Sequence, residues 1–293
     1  MLARADCVRP GLFALLFCLA GLWLFAGCTR EASSTTTQED ASTLSGRLSL
    51  SGSSTVAPLM LEIAKRFESL HPSVRIDVQT GGSTRGILDV REGTVDIGMI
   101  SRAATSDEAD LVAYRIGLDG LCMIVHASNT APSLSREEIA SIYTGRIDNW
   151  KAMNGEERAI TVVSKAEGRS TLELFLGYFQ LQNSQLKPDI IVGDNVQGIK
   201  SVAGDPGAIA YVSIGSALAE RVRGESIRLL SLAGVDATIE HVRDGSFPLL
   251  RDLTLLVRSQ PRKDSLLFAF LEFAQSDDVH DLIEGLSFVP ITR

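Results

Sequence analysis

Residues 47–60 read RLSLSGSSTVAPLM, and this stretch decides the fold. Arg47 to Ser51 alternates apolar and polar residues, the period of a half-buried strand. Gly52-Ser53-Ser54-Thr55 is a polar turn. Pro58 then stands where the first turn of a helix tolerates a missing N–H, and Leu59, Ile63, Phe67 and Leu70 recur at helical spacing. The unit is strand, hydroxyl-rich turn, helix.

Moving outward, the same unit repeats. Val74, Ile76 and Val78 alternate, and a short helix from Ile87 stops at Gly93. Asp96 to Ile100 is a short strand. Strands are predicted at 121–126, 160–164, 190–192, 208–212 and 252–258. Helices are predicted at 136–143, 171–182, 196–203, 214–221, 264–275 and 278–284. Such alternation predicts an α/β fold with mainly parallel sheets flanked by helices.

Four of the strand-to-helix turns carry small residues and hydroxyls. They are Ser51 to Pro58, Gly81 to Gly86 (GGSTRG), Ile100-Ser101-Arg102, and Lys165 to Thr171 (KAEGRST). Ser170 and Glu173 have capping-box spacing. Any one of these turns reads as ordinary helix capping. Four together, each straight after a strand and three with a basic residue in or beside them, read as a seat for a tetrahedral oxyanion. Free N–H groups at helix starts bind such anions, and ligands of open α/β sheets sit at the carboxyl ends of strands.

Composition removes other classes. Of 293 residues, 45% are hydrophobic, 22% charged and 6% aromatic, a globular profile. The formal net charge is −8 and no Lys/Arg block occurs, which argues against nucleic acid as a partner. No G-x-S-x-G elbow or H-E-x-x-H pair is present. Gly81 to Gly86 has the glycine spacing of a phosphate-binding loop, but Ile87 stands where that loop requires Lys. The histidines, His71, His126, His241 and His280, lack metal-ligand spacing. The chain therefore reads as a binding protein and not an enzyme, with no cofactor.

The quoted turns, with TVDIGMISR at 94–102, IASIYTGRIDNW at 139–150 and PGAIAYV at 206–212, resemble the phosphate-binding receptors of Pst-type phosphate ABC transporters. That family belongs to the type II periplasmic-binding-protein superfamily. The resemblance runs from about Arg47 to the C-terminus. It implies two lobes, about 46–124 plus 248–293 and 125–247, each with a mainly parallel sheet, joined by two crossover strands that act as a hinge. It implies that a monomer captures inorganic phosphate between the lobes and delivers it to a membrane permease. A sensor or adhesion module of the same fold, or a receptor for another tetrahedral oxyanion, are the alternative readings.

The resemblance also implies ligands: Ser54, Thr55 and Val56 from the first turn, Ser83 from the second, Ser101 and Arg102 from the third, and Arg169, Ser170 and Thr171 from the fourth. Arg85, Lys165 and Glu167 are candidates for supporting charge. The fourth turn departs from the family's Arg-x-acidic-Gly-Ser-Gly-Thr. Lys165 replaces an Arg, losing a bidentate fork. Arg169 and Ser170 replace Ser and Gly, and Arg169 either turns inward to restore the guanidinium or faces solvent.

The N-terminus carries a different message. After Arg4 and Arg9, Gly11 to Gly27 runs uncharged, the apolar centre of a signal peptide spanning 1–27. It ends in Leu24-Phe25-Ala26-Gly27-Cys28, which resembles a lipobox with Cys28 as the lipidated residue. An uncleaved anchor is the alternative. Either reading places the protein outside the cytoplasmic membrane, held to it. Loss of Arg4, Asp6 and Arg9 removes a net +1, so the mature chain carries about −9. Residues 28–45 are a flexible tether: nine of the seventeen residues in 29–45 are Ser or Thr. Once cleaved, the chain keeps only Cys28 and Cys122, and Cys122 reads as an inert core residue.

Overall fold

The computed structural model describes residues 44–291. The expected signal peptide, Cys28 and nearly all of the expected tether lie outside the described residues. The elements run β1 (Gly46–Gly52), α1 (Ala57–Leu70), β2 (Val74–Thr80), α2 (Ser83–Glu92), β3 (Ile97–Ile100), β4 (Val112–His126), α3 (Arg136–Tyr143), β5 (Thr161–Lys165), α4 (Ser170–Phe179), β6 (Ile190–Val192), α5 (Asn195–Gly204), β7 (Ala208–Ser213), α6 (Ile214–Val222), β8 (Ile227–Leu229), α7 (Ile239–Arg243), β9 (Leu250–Val257), α8 (Leu266–Ala274) and α9 (His280–Gly285).

The strands form the order β2-β1-β3-β9-β4-β7-β5-β6, with β8 added beside β4. One hydrophobic core gathers Leu48, Leu50, Ile63, Phe67, Ile97, Leu255 and Phe270. The other gathers Cys122, Ile124, Tyr143, Trp150, Phe175, Tyr211 and Val212. Buried aromatics anchor each. Phe67 meets Phe270 edge-on at 5.2 Å, and Phe175 stacks on Tyr211 at 4.1 Å. Trp150 stays buried because its indole N–H donates to the Gly207 carbonyl at 2.8 Å. β4 and β9 serve both cores: Ile116 and Leu253 belong to the first, while Leu121 belongs to the second and Leu250 packs against it.

Three expectations need correction. The sheet is parallel only in its outer pairs, β1 with β2 and β3, and β5 with β6 and β7. Every pairing that involves β4 or β9 is antiparallel. Those two strands carry the chain between cores, and β9 returns alongside β4 in the opposite direction. Second, β4 begins at Val112 and not near 121, because Gly117, Asp119 and Gly120 give its first half the composition of a turn. Third, α4 closes at Phe179, where Gln180 takes the left-handed conformation with φ 55°. β8 and α7, of 3 and 5 residues, have no counterpart among the predicted elements.

α2 lies directly on the strand backbone because Gly86 faces it. A Cβ there would stand 2.7 Å from the Ser51 carbonyl oxygen and 2.9 Å from Gly52 Cα. Helix propensity favours Ala over Gly by about 1 kcal/mol, but backbone atoms of a paired strand cannot yield. Gly86→Ala is therefore expected to lower stability by about 1–3 kcal/mol net. Urea unfolding checks this, and a raised midpoint would contradict the packing described.

Candidate functional site

Register places the turns together. Gly52 pairs with Thr80 on one side and Met99 on the other, so β1, β2 and β3 end at one level. The Ser101 N–H reaches Ser83 Oγ at 3.4 Å. On the opposite side Lys165 pairs with Val192, bringing the ends of β5 and β6 level. The two sets of ends meet. The Thr84 N–H donates to the Gly168 carbonyl at 3.2 Å, and Asn195 Nδ2 donates to Thr55 Oγ1 at 3.0 Å. Gly82, with φ +95°, permits this approach: a Cβ there would lie 2.7 Å from the Gly168 oxygen and 2.9 Å from Arg169 Cδ.

At the centre is a buried ion pair. Asp119 on β4 and Arg251 on β9 are register partners, and neither side chain is exposed. Arg251 Nε and Nη2 donate to Asp119 Oδ2 at 2.9 and 2.7 Å. Asp119 Oδ1 accepts the Gly215 N–H at 3.2 Å. The rest of the guanidinium points at hydroxyls. Nη1 donates to Thr171 Oγ1 at 3.0 Å and reaches Ser101 Oγ at 3.5 Å; Nη2 reaches Thr55 Oγ1 at 3.4 Å.

A hydroxyl whose oxygen accepts from Arg251 must turn its own hydrogen elsewhere. Thr55, Ser101 and Thr171 thus converge as donors, from three separate turns. Ser170 Oγ is buried without a hydrogen-bond partner, an arrangement that asks for a ligand atom. In α4 the first intrahelical bonds come from Leu172 and Glu173 to the Arg169 carbonyl, so the N–H groups of Ser170 and Thr171 open onto the same place. Hydroxyl donors, helix-start N–H groups and a buried guanidinium suit a compact oxyanion.

The structure gathers Thr55, Val56, Ser83, Ser101, Ser170, Thr171 and Lys165 as buried residues of this cluster or its walls. Arg169, half-buried, is the residue that precedes α4; it crosses Gly82 and extends toward Gly193. Ser54 is only half-buried, beside Ser53, whose Oγ takes the Thr55 N–H at 3.2 Å. Three residues do not join the cluster. Arg85 is an exposed partner of Asp89 at 2.6 Å. Glu167 is exposed and accepts from Asn183 at 2.7 Å. Arg102 pairs with Glu108 and Glu173, both at 3.0 Å, holding Glu108 at a pKa of about 2. That pairing also undoes the expected capping box. Glu173 turns to Arg102, and Ser170 becomes the first helical residue, its hydroxyl buried and unpartnered.

Sequence reasoning missed Asp119, Arg251 and Asn195. Asn195 follows β6 in a fifth strand-to-helix turn and was open to the same reading. Asp119 and Arg251 lie inside strands, where the signal is a charge beside an apolar run that strand composition does not explain.

Comparison with known proteins gives the family and the fold. The family model described as a PBP superfamily domain matches residues 31–278. The chain is 28% identical to a phosphate-binding protein PstS of Bacillus subtilis, over 96% of this chain and 94% of that one. A protein of Clostridium perfringens, assigned as a phosphate ABC transporter substrate-binding protein and solved with phosphate bound, superposes with a TM-score of 0.77 at 28% identity. The match covers 84% of this chain and all of the other. An ABC-type phosphate transport receptor of Vibrio cholerae superposes with a TM-score of 0.70 at 28% identity, over 83% of this chain and all of that one.

Breaking the central pair leaves a buried, uncompensated charge. Asp119→Ala is expected to lower stability by about 3–5 kcal/mol, whereas replacing both partners by apolar residues, Asp119→Leu with Arg251→Met, should recover most of that loss. Denaturant unfolding of the three proteins distinguishes them. An Asp119→Ala protein as stable as the parent would contradict the pairing.

Proposed function

The chain belongs to the PBP superfamily, and from that footing we propose that it is the phosphate-binding receptor of an ABC-type transporter. The observation that carries this reading is the convergence of Thr55, Ser101 and Thr171 on one buried guanidinium, beside the unpartnered Ser170 hydroxyl. The phosphate-bound relative from Clostridium perfringens supports it.

In this reading the two cores are two lobes, 46–124 plus 248–293 and 125–247, with the cores changing over a few residues earlier on β4. β4 and β9 are the hinge. The arrangement described is the shut one, since Thr55 already touches Asn195 and Arg102 already touches Glu173. Opening separates these pairs and admits the anion. Closure then surrounds it with hydroxyls, helix-start N–H groups and the cations Arg251, Arg169 and Lys165. The protein acts by holding and releasing, as a monomer, and its partner is the membrane permease. Cys28, lipidated at the N-terminus of the mature chain, keeps it at the outer face of the membrane. The 29–45 tether would reach about 60 Å if fully extended, at roughly 3.5 Å per residue, which lets the receptor dock on that permease.

Titration calorimetry with inorganic phosphate tests the binding site. Thr55→Ala, Ser170→Ala and Thr171→Ala should each weaken binding by about 1 kcal/mol, roughly fivefold. The Asp119→Leu, Arg251→Met protein, folded but without the central cation, should weaken it by about 2–5 kcal/mol. Equal affinities in all of these proteins would place the anion elsewhere.

The anchor has its own test. Mass spectrometry of the membrane fraction should find acyl groups on Cys28. An exported protein that retains residues 1–27 would contradict the anchor.

A further inference from the structure

Lys165 stands at the end of β5, in the buried wall of the site. It is 5% exposed. Its Nζ donates to the Asp194 carbonyl and makes no other hydrogen bond among the described residues. It lies against α5, where a Cβ at Gly198 would stand 3.1 Å from it. A buried ammonium has three N–H donors and needs an acceptor for each. Here the protein offers one, which satisfies an uncharged amine far better than a cation.

The charged and titratable neighbours point the same way. From β9 Arg251, and from the turn before α4 Arg169, both disfavour a positive charge on Lys165; Asp194, at the start of α5, favours it. Asp119 on β4 is held by Arg251. Tyr211 on β7 accepts the Lys165 backbone N–H at 3.1 Å, and burial keeps its phenol neutral. Burial is the largest influence on Lys165 and, with the two arginines, pushes its pKa down to about 7.

We propose that Lys165 is the titrating ligand of this site: uncharged in the empty shut cleft, it gains a proton when the oxyanion enters, so that anion capture is coupled to proton uptake. This rests on the reading of the cleft as a phosphate site. The missing acceptors for a charged Lys165 are the oxygens of the anion, and an anion nearby favours the charged form. When hydrogen phosphate dianion binds above neutral pH, the Lys165 nitrogen lone pair takes one proton from solvent. An N–H bond forms, the ligand keeps its own proton, and the complex gains one positive charge. When dihydrogen phosphate binds, its proton passes to Lys165, an O–H bond breaks as the N–H bond forms, and no proton is drawn from solvent.

Linkage fixes the consequences. Above a pKa of about 7 in the empty protein, affinity for the dianion falls as pH rises, by up to about tenfold per unit. It levels off only above the raised pKa of the complex.

The test is calorimetric titration of the full-length purified protein with inorganic phosphate at pH 8.5, in buffers of different ionisation enthalpy. The parent protein should take up close to one proton per phosphate and lose affinity several-fold between pH 7.5 and 8.5. Lys165→Arg, permanently charged, should take up none and keep its affinity across that range. Lys165→Met, never charged, should take up none and bind weakly throughout. Phosphate binding by the parent with no proton uptake overturns the role of Lys165 and leaves the phosphate reading standing. So does the same uptake in all three proteins. No phosphate binding by the folded parent overturns the phosphate reading itself.

Discussion

A guanidinium shut away from water must find an acceptor for each N–H it carries, and a carboxylate opposite it must be just as fully used. Arg251 and Asp119 impose that condition at the point where β4 and β9 run side by side. Asp119 takes two of the Arg251 N–H groups and the Gly215 N–H. What remains of Arg251 has to be met by neutral oxygens, and these come from turns that start on both sides of the pair. The ion pair therefore does more than neutralise itself. It determines which hydroxyls must be close, and so which strand ends must be level.

From that condition the rest of the site follows by hydrogen-bond direction. Thr55, Ser101 and Thr171 accept from Arg251 and so present their hydrogens to a shared space. Ser170 faces it from the first turn of α4, unpartnered. The glycines matter because the backbones that carry these groups must come close. Gly86 lets α2 lie on β1, and Gly82 lets the second turn meet the fourth. Arg102, outside this cluster, ties Glu108 on its own side to Glu173 on the other. That tie links the two sides without touching the hydroxyl cluster.

The parts of this legible in the sequence were those with a local signature. Strand, polar turn and helix repeat with a period that side-chain burial imposes, and the hydroxyls at Thr55, Ser83, Ser101, Ser170 and Thr171 stand where strand ends place them. Resemblance to the phosphate receptors then assigned those turns to one site. The rest depended on pairing between residues far apart in the chain. Asp119 and Arg251 are 132 positions apart, and nothing near either predicts the other. The glycines around Asp119 made the first half of β4 look like a turn, which hid the strand that carries it. The resemblance to the phosphate receptors offered Arg102 as a ligand and Arg85 and Glu167 as supporting charge. Asp89, one turn along the same helix, and Glu108, six residues on, engage Arg85 and Arg102 locally, while Glu173 and Asn183 reach Arg102 and Glu167 only through the tertiary structure.

A crystal structure of the protein grown with phosphate tests the central claim most directly. The account predicts one tetrahedral anion within hydrogen-bond distance of the Thr55, Ser101, Ser170 and Thr171 hydroxyls, with Arg251 still held by Asp119. An anion bound away from these hydroxyls, or an Arg251 side chain that leaves Asp119 and turns to solvent, would contradict it.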